Sequence, residues 1–142
     1  MNLYLTINPP DIDSNTELPL SSSGISAGFP SPAEDHFTFK LDINKMLIKN
    51  PTATFYARVN GVSMIEDGVD DGDLLVIDKS VDPYDNCLAV CFIDGEFTLK
   101  RFTLKENCAR LVPANKNYKP IKITEENHFI IWGVVRYVIK KV

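Results

Sequence analysis

The feature that most constrains the fold of this 142-residue chain is a succession of short apolar segments separated by turn residues. Period-two alternation and short apolar runs predict strands within residues 37–41, 54–60, 73–78, 86–93, 96–104, 109–113, 120–124 and 128–139. Between two of them, Asp94-Gly95 is a strong signal for a two-residue hairpin turn. The sequence has no internal repeat and no alternation of strands with long helices. It therefore predicts a mainly β fold, a small and partly rolled antiparallel sheet or barrel.

One short helix is expected near the start of this pattern. Asp42 is predicted to cap a helix that runs through Ile43 and Leu47. The helix should end before Pro51, because the residue before a proline disfavours the helical conformation.

The first 36 residues differ in composition from the rest of the chain. They hold five of the nine prolines and the run Ser21-Ser22-Ser23-Gly24, and residues 1–39 contain five acids but no Lys or Arg. Proline removes backbone donors and Ser/Gly runs add conformational entropy, which few apolar residues are present to offset. We therefore predict an extended, flexible N-terminal arm at residues 1–36 and a β-rich domain at residues 37–142. Composition alone favours a tail without a role of its own.

Several classes of protein are disfavoured by the composition. No apolar run is long enough to cross a bilayer, and the first ten residues lack the features of a secretory signal, which predicts a cytoplasmic protein without a membrane partner. A net charge of −4 argues against duplex DNA as a direct ligand. The sequence has no phosphate-binding glycine loop and no nucleotide fingerprint, so no cofactor is expected.

The cysteines and the acidic stretch at residues 66–73 predict neither a disulfide nor a metal site. On a strand, Cys87 and Cys91 would lie about 13 Å apart, too far for a disulfide. No His neighbours them or Cys108 at a zinc-like spacing, so buried, reduced thiols are expected. The acidic stretch lacks the spacing of an EF-hand loop and is interpreted as turn and solvated surface.

A serine and a lysine remain as candidate catalytic residues. The two histidines, His36 and His128, lie outside any nucleophile motif, and nothing in the sequence supports a Ser-His-Asp or Cys-His arrangement. Gly61 permits a tight turn after an apolar strand, and this turn would present Ser63 at the strand end. Lys100 lies on the return strand of the predicted hairpin. Each feature alone has an ordinary explanation, since strand lysines are usually solvated.

Together with a third segment, these two motifs resemble the LexA/UmuD-type self-cleaving serine–lysine peptidases. The segment from Gly61-Val62-Ser63-Met64 to Val76 is similar to the nucleophile segment of that family. Asp94-Gly95-Glu96-Phe97-Thr98-Leu99-Lys100-Arg101 is similar to the segment that carries the family's lysine, and the 37-residue separation also matches. Ala27-Gly28-Phe29-Pro30-Ser31-Pro32 resembles the cleavage region, where an Ala-Gly or Cys-Gly bond is cut. Residues 1–23 match poorly.

The resemblance implies a LexA/signal-peptidase-like fold and a self-cleaving serine endopeptidase without a metal. Ser63 would be the nucleophile and Lys100 the general base, and the chain would be cut between Ala27 and Gly28. The backbone N–H groups of Val62 and Ser63 would form the oxyanion hole. A free lysine has a pKa near 10.4, and lowering it to about 7–8 requires an environment worth roughly 3–5 kcal/mol.

The resemblance also implies a biological role. A RecA filament on single-stranded DNA would stimulate cleavage, and the product, a homodimer of residues 28–142, would join the UmuC-like catalytic subunit of a translesion DNA polymerase in SOS mutagenesis and DNA repair. An acidic, Pro-rich arm of 27 residues cannot form the helix-turn-helix of LexA-type repressors, so no sequence-specific DNA binding is expected.

Two other functions remain open. The chain could be a non-enzymatic β-rich adaptor of a DNA-repair complex with a vestigial dyad, although the intact Ser63, Lys100 and Ala27-Gly28 argue against this. It could also be a protease of other proteins, but no extended specificity cleft can be read from the sequence.

Overall fold

The computed structural model of the chain describes residues 15–21, 24–25, 27–29, 39–62, 64–113, 115–124 and 129–142. The described residues up to Lys49 form one compact unit, and Asn50–Val142 form another. Strands dominate both, in two antiparallel sheets, and this confirms the predicted mainly β fold. No helix in the described part of the chain is long and apolar enough to span a membrane.

The first unit contains a two-stranded sheet and the short helix. Strands β1 (Glu17–Leu20) and β2 (Phe39–Asp42) pair antiparallel. Helix α1 (Ile43–Leu47) follows directly, and the Asp42 carboxylate accepts a hydrogen bond from the Lys45 N–H at 3.3 Å. The predicted helix and its cap are therefore confirmed. Strand β1 falls within residues 1–36, and because residue 36 lies outside the described residues, the division into arm and domain stays a prediction.

The second unit is one seven-stranded antiparallel sheet with the order β3-β4-β9-β5-β6-β7-β8. Every predicted strand after residue 50 is present, with ends shifted by a few residues. The strands are β3 (Thr54–Arg58), β4 (Leu74–Asp78), β5 (Cys87–Ile93), β6 (Glu96–Lys105), β7 (Cys108–Val112), β8 (Ile121–Lys122) and β9 (Phe129–Ile139).

The β5–β6 hairpin has the predicted tight turn. Asp94 and Gly95 have φ values of +48° and +86°, the positive pair that a type I′ turn requires. Pairing continues without interruption from Ile93–Glu96 to Cys87–Phe102. The turn therefore fixes the register of every residue on β6, including Lys100.

The seven-stranded sheet buries side chains on both faces. Alternation along β5 sends Leu88 and Val90 into one apolar cluster and Cys87, Ala89 and Cys91 into another. Cluster A comprises Ala57, Val59, Met64, Val69, Leu75, Ile77, Leu88, Val90, Leu99 and Val135. Cluster B comprises Cys87, Ala89, Cys91, Phe102, Leu111 and Val134. A side chain on either face of the central strands is therefore removed from water.

Strand β9 lies in the middle of the sheet and is irregular. Its register shifts opposite Val76 and Ile77 of β4, and again opposite Val90 and Cys91 of β5. Such bulges bend a strand and increase its twist. In the described residues the edge strands β3 and β8 do not pair with each other, so the predicted sheet does not close into a barrel.

Candidate active site

Lys100 lies near the middle of β6, opposite Ala89 of β5. Its side chain shares a face with Phe102, two residues farther along the strand. Because Ala89 and Phe102 both belong to cluster B, the lysine is set into an apolar surface. Only 6% of Lys100 is exposed, so it differs from an ordinary solvated strand lysine.

Burial lowers the pKa of Lys100 from its ordinary value of 10.5, because removal from water disfavours the charged ammonium. Cys91 acts in the opposite direction, but burial raises the pKa of its own thiol to about 12. Cys91 is therefore neutral at pH 7 and supplies no anion to hold a proton on the lysine. Cys87 and Cys91 are buried free thiols, as predicted, whereas Cys108 is only half-buried.

A cavity of about 490 Å³ lies against this part of β6. It is lined by the hairpin end and by Phe97, Thr98, Lys100, Tyr118, Lys119 and Ile121. Strand β7 pairs with β6 only from Arg101 to Lys105. In the described residues, Glu96–Leu99 therefore has one edge without a strand partner. An extended peptide can pair with an edge of this kind through its backbone.

The turn that contains Ser63 spans residues 61–69, between β3 and β4. Gly61 has φ +108°, a value that favours glycine, as the predicted tight turn requires. Ser63 itself lies outside the described residues, but both of its chain neighbours are described. Val62 is 45% exposed, whereas Met64 is buried in cluster A. The turn is thus anchored in the core directly after Ser63. The backbone N–H groups of Val62 and Ser63 stay predicted oxyanion donors.

Two side chains tie this turn to the strands around Lys100. Arg101, the next residue on β6, donates from Nε and Nη2 to Asp67 Oδ2 at 3.1 and 2.8 Å. Asn115, which follows β7 and is 8% exposed, donates from Nδ2 to the Val62 carbonyl oxygen at 2.7 Å. The structure therefore holds the chain on both sides of Ser63 to the segments that flank Lys100.

Sequence reasoning missed both ties. Asn115 lies 53 residues from Val62, and a loop asparagine carries no local signal of such a partner. For the other tie a weak signal exists, because Asp67 and Arg101 have opposite charges and each lies close in sequence to one of the two predicted catalytic residues.

The acidic stretch after the turn is held by the C-terminal segment. Lys140 Nζ lies 2.5 Å from Asp70 Oδ2 and 2.6 Å from Asp73 Oδ2. Burial would raise the pKa of Asp73, but the hydrogen bonds from Lys140 and the Asp70 N–H lower it overall. Asp73 is buried, so the expectation of a fully solvated stretch was wrong at this residue. Within the described residues, no group of His, Cys, Asp or Glu side chains is arranged to hold a metal ion.

The predicted cleavage residues lie in the first unit, and both are exposed. Gly28 has φ +134°, a backbone conformation that residues with a side chain rarely adopt. The Ala27–Gly28 bond is therefore accessible, and its second residue uses the conformational freedom of glycine.

A family model described as Peptidase S24-like matches residues 19–136. The chain belongs to the peptidase S24-like family. This S24-like protein is 40% identical over 132 residues to Protein ImpA of Salmonella typhimurium. The aligned residues cover 93% of this chain and 90% of ImpA. It is 40% identical over 139 residues to Protein SamA of Salmonella typhimurium strain LT2, and this alignment covers 98% of this chain and 96% of SamA. It is 37% identical over 121 residues to Protein MucA of Escherichia coli, and this alignment covers 84% of this chain and 82% of MucA.

These S24-like relatives are UmuD-family proteins, and the resemblance drawn from the three motifs is confirmed. Membership in the S24-like family supports a serine peptidase. The UmuD-type relatives support an SOS mutagenesis protein.

Proposed function

We propose that this S24-like chain cleaves itself between Ala27 and Gly28, with Ser63 as nucleophile and Lys100 as general base. The observation that carries the proposal is the buried Lys100, whose pKa is lowered by its apolar surroundings. A lysine acts as a base only in its neutral form, and burial favours that form. The Asp67–Arg101 and Val62–Asn115 ties support the pairing, because they hold the segment around Ser63 to the segments that flank the lysine.

The reaction needs no group outside the chain except water. Neutral Lys100 Nζ takes the proton from Ser63 Oγ as Oγ forms a bond to the Ala27 carbonyl carbon. Collapse of the tetrahedral intermediate breaks the bond to the Gly28 nitrogen, which receives the proton from Lys100 and leaves as an amine. Lys100 then deprotonates a water whose oxygen forms a bond to the Ala27 carbonyl carbon, and the bond from that carbon to Ser63 Oγ breaks as Oγ receives the proton back from Lys100. The products are residues 1–27 and 28–142.

The open edge of Glu96–Leu99 and the adjoining cavity support binding of the substrate segment at this place. An extended chain paired with this edge would bring a peptide carbonyl alongside Lys100. The small side chain of Ala27 and the absent side chain of Gly28 let two backbones approach closely. Phe29 is 91% exposed, so it offers an apolar group to the lining formed by Phe97 and its neighbours.

The proposed biological role follows from the UmuD-type relatives. A chain that cut itself freely would not persist uncut. We therefore infer that an external stimulus brings the substrate segment into the active site. We propose a RecA filament on single-stranded DNA as this stimulus. The 28–142 product would then act as a homodimer with a UmuC-like catalytic subunit in translesion synthesis.

Intact mass followed over time from pH 7 to 10 tests self-cleavage. Below the pKa of Lys100 the base is protonated, so the cleavage rate should rise with pH and level off above that pKa. Ser63→Ala and Lys100→Ala should remain whole, whereas Lys141→Ala, an exposed lysine, serves as the matched control and should cleave like the wild type. The expected fragments end at Ala27 and begin at Gly28.

A wild-type chain that stays whole at every pH should next be assayed with RecA, ATP and single-stranded DNA. Cleavage only under those conditions would support the stimulus as well as the dyad. An intact chain there as well would contradict self-cleavage and leave the non-enzymatic adaptor as the better description.

A further inference from the structure

Positive charge is concentrated in one part of this acidic protein. Residues 97–124 carry seven basic residues and one acid, whereas the rest of the chain carries eight basic and 18 acidic residues. Two of the seven are already engaged, because Lys100 is buried and Arg101 is paired with Asp67. The others lie on or beside β6, β7 and β8, at one edge of the sheet.

Strand register brings three of these cations onto one sheet face. The β6–β7 ladder pairs Lys105 with Cys108, and the β7–β8 ladder pairs Arg110 with Lys122. Cys108 and Arg110 are two residues apart and therefore point to the same side. Lys105, Arg110 and Lys122 consequently emerge together, and all three are exposed. We call these three residues the basic face.

The basic face is not neutralised within the described residues. None of its three cations forms an ion pair there, although Arg101 and Lys140 both do. Arg110 and Lys122 are direct cross-strand partners, and like charges in that position destabilise a sheet. An anion bound between them would relieve this repulsion.

A cavity of about 420 Å³ adjoins the basic face. Its lining combines two cations with a hydroxyl group, apolar groups and a single carboxylate, contributed by Lys105, Arg110, Thr103, Val112, Pro120 and Glu106. Cations beside an apolar surface suit an acidic ligand that also carries hydrocarbon groups.

We propose that the basic face binds a short acidic segment of a partner protein in extended conformation. Alternate side chains of an extended peptide lie about 6.6 Å apart on one side, and neighbouring strands lie about 4.8 Å apart, so the long Lys and Arg side chains can reach more than one acidic group of the same peptide. In the described residues β8 is an edge strand, so the peptide can also pair with its backbone. This binding is independent of self-cleavage.

A peptide fits these observations better than single-stranded nucleic acid does. A nucleic acid strand would extend past three cations onto a chain that is otherwise strongly acidic. The described lining of the cavity also contains no aromatic ring on which a base could stack.

Fluorescence anisotropy at low salt tests the proposal on the full chain with three labelled probes. The first is an eight-residue peptide that alternates Glu with Thr, the second replaces each Glu by Gln, and the third is an eight-nucleotide oligothymidylate. The test variant is Lys105→Glu/Arg110→Glu/Lys122→Glu. The matched control, Lys45→Glu/Lys49→Glu/Lys141→Glu, changes the net charge equally.

We expect the Glu peptide to bind the wild-type chain and to bind the basic-face variant at least about tenfold more weakly, since three exposed ion pairs are each replaced by a repulsion. The control variant should stay within about twofold of the wild type. Equal binding of the Gln peptide, an equal loss in the control, or tighter binding of the oligonucleotide would each overturn the proposal.

A milder variant keeps the test valid if the triple charge reversal unfolds the chain. Arg110→Gln/Lys122→Gln removes the like-charge pair, so it should melt no lower than the wild type. It should still bind the Glu peptide about threefold or more weakly. Unchanged binding of this folded variant would refute the role of these two cations.

Discussion

Asn115→Asp tests whether the turn that contains Ser63 must be anchored for cleavage. The buried Asn115 side chain donates to the Val62 carbonyl at 2.7 Å and accepts from the Asn117 N–H at 3.0 Å. Aspartate keeps the acceptor and the shape but removes the donor. Within the part of the chain that the structure describes, the Val62 carbonyl then keeps only the Ile65 N–H, at 3.3 Å.

The expected loss combines two terms. A lost hydrogen bond costs roughly 0.5–1.5 kcal/mol, and a buried acceptor left facing another acceptor costs about 1–3 kcal/mol. We therefore expect the free energy of unfolding to fall by about 1.5–4.5 kcal/mol. For a domain of this size each kcal/mol lowers Tm by about 2–4 °C, which gives a drop of about 3–18 °C. A nucleophile displaced by about 1 Å slows a reaction on the order of 100-fold.

The assay combines thermal melting with the rate of intact-mass cleavage at pH 9 to 10 and 25 °C, where both proteins should be folded. Asn117→Asp is the control, because it makes the same charge change at an exposed neighbour whose backbone N–H is retained. It should match the wild type in Tm and in rate. If Asn115→Asp melts lower but cleaves at the wild-type rate, the tie stabilises the fold without positioning Ser63, and our reasoning is refuted.

Three substitutions test the buried groups of the sheet by thermal melting. Lys100→Met should raise Tm at pH 7, because it removes the cost of burying an ammonium. That gain should shrink as pH rises towards 10.5, because the folded wild type releases the proton at its lowered pKa and regains stability. Gly133→Ala should cost about 1–3 kcal/mol, because the new Cβ would lie 2.5 Å from Ile77 Cγ2. Asp78→Asn should cost about 1–3 kcal/mol at pH 7, since Asp78 accepts from the Ser80 N–H and hydroxyl. Burial would raise the pKa of Asp78, but these bonds lower it below 3.8, so its contribution is complete above pH 3.8 and disappears as pH falls through the folded pKa.

For each of these three substitutions, one measured outcome would contradict the prediction. A lower Tm for Lys100→Met at pH 7 would mean that the ammonium stabilises the fold. Gly24→Ala is the control for Gly133→Ala, because nothing lies within 4 Å of its added Cβ, and equal losses would rule out the close approach to Ile77. A difference between Asp78→Asn and the wild type that stays constant down to pH 2 would contradict the lowered pKa of Asp78.

The sequence predicted local features of this fold well because they depend on neighbouring residues. The Asp94-Gly95 turn and the alternation around it placed Lys100 at its position on β6, and Asp42 capped its helix as expected. Alternation tells which side chains share a face, but it does not tell whether that face is covered. The burial of Lys100 depends on cluster B, which draws on β5, β6, β7 and β9.

Contacts distant in sequence were not predictable. The position of β9 between β4 and β5 follows from tertiary packing and has no local signature. The same holds for the Asn115–Val62 bond and for Lys140, which neutralises Asp73 from 67 residues away. An acidic stretch considered alone was therefore predicted to be solvated, although one of its carboxylates, Asp73, is buried and paired with an exposed cation.

Lys100 and Arg101 are consecutive on β6, so one strand sends an ammonium into cluster B and a guanidinium to Asp67 on the other side. The length of the Asp94-Gly95 turn decides which cation goes where. Inserting or deleting one residue there would exchange the two sides for every residue on the strand. The lysine would then leave cluster B for the face that carries cluster A, and the arginine would enter cluster B. Surface loops usually tolerate changes in length during evolution, but this turn is expected to keep two residues in every active descendant of this sequence.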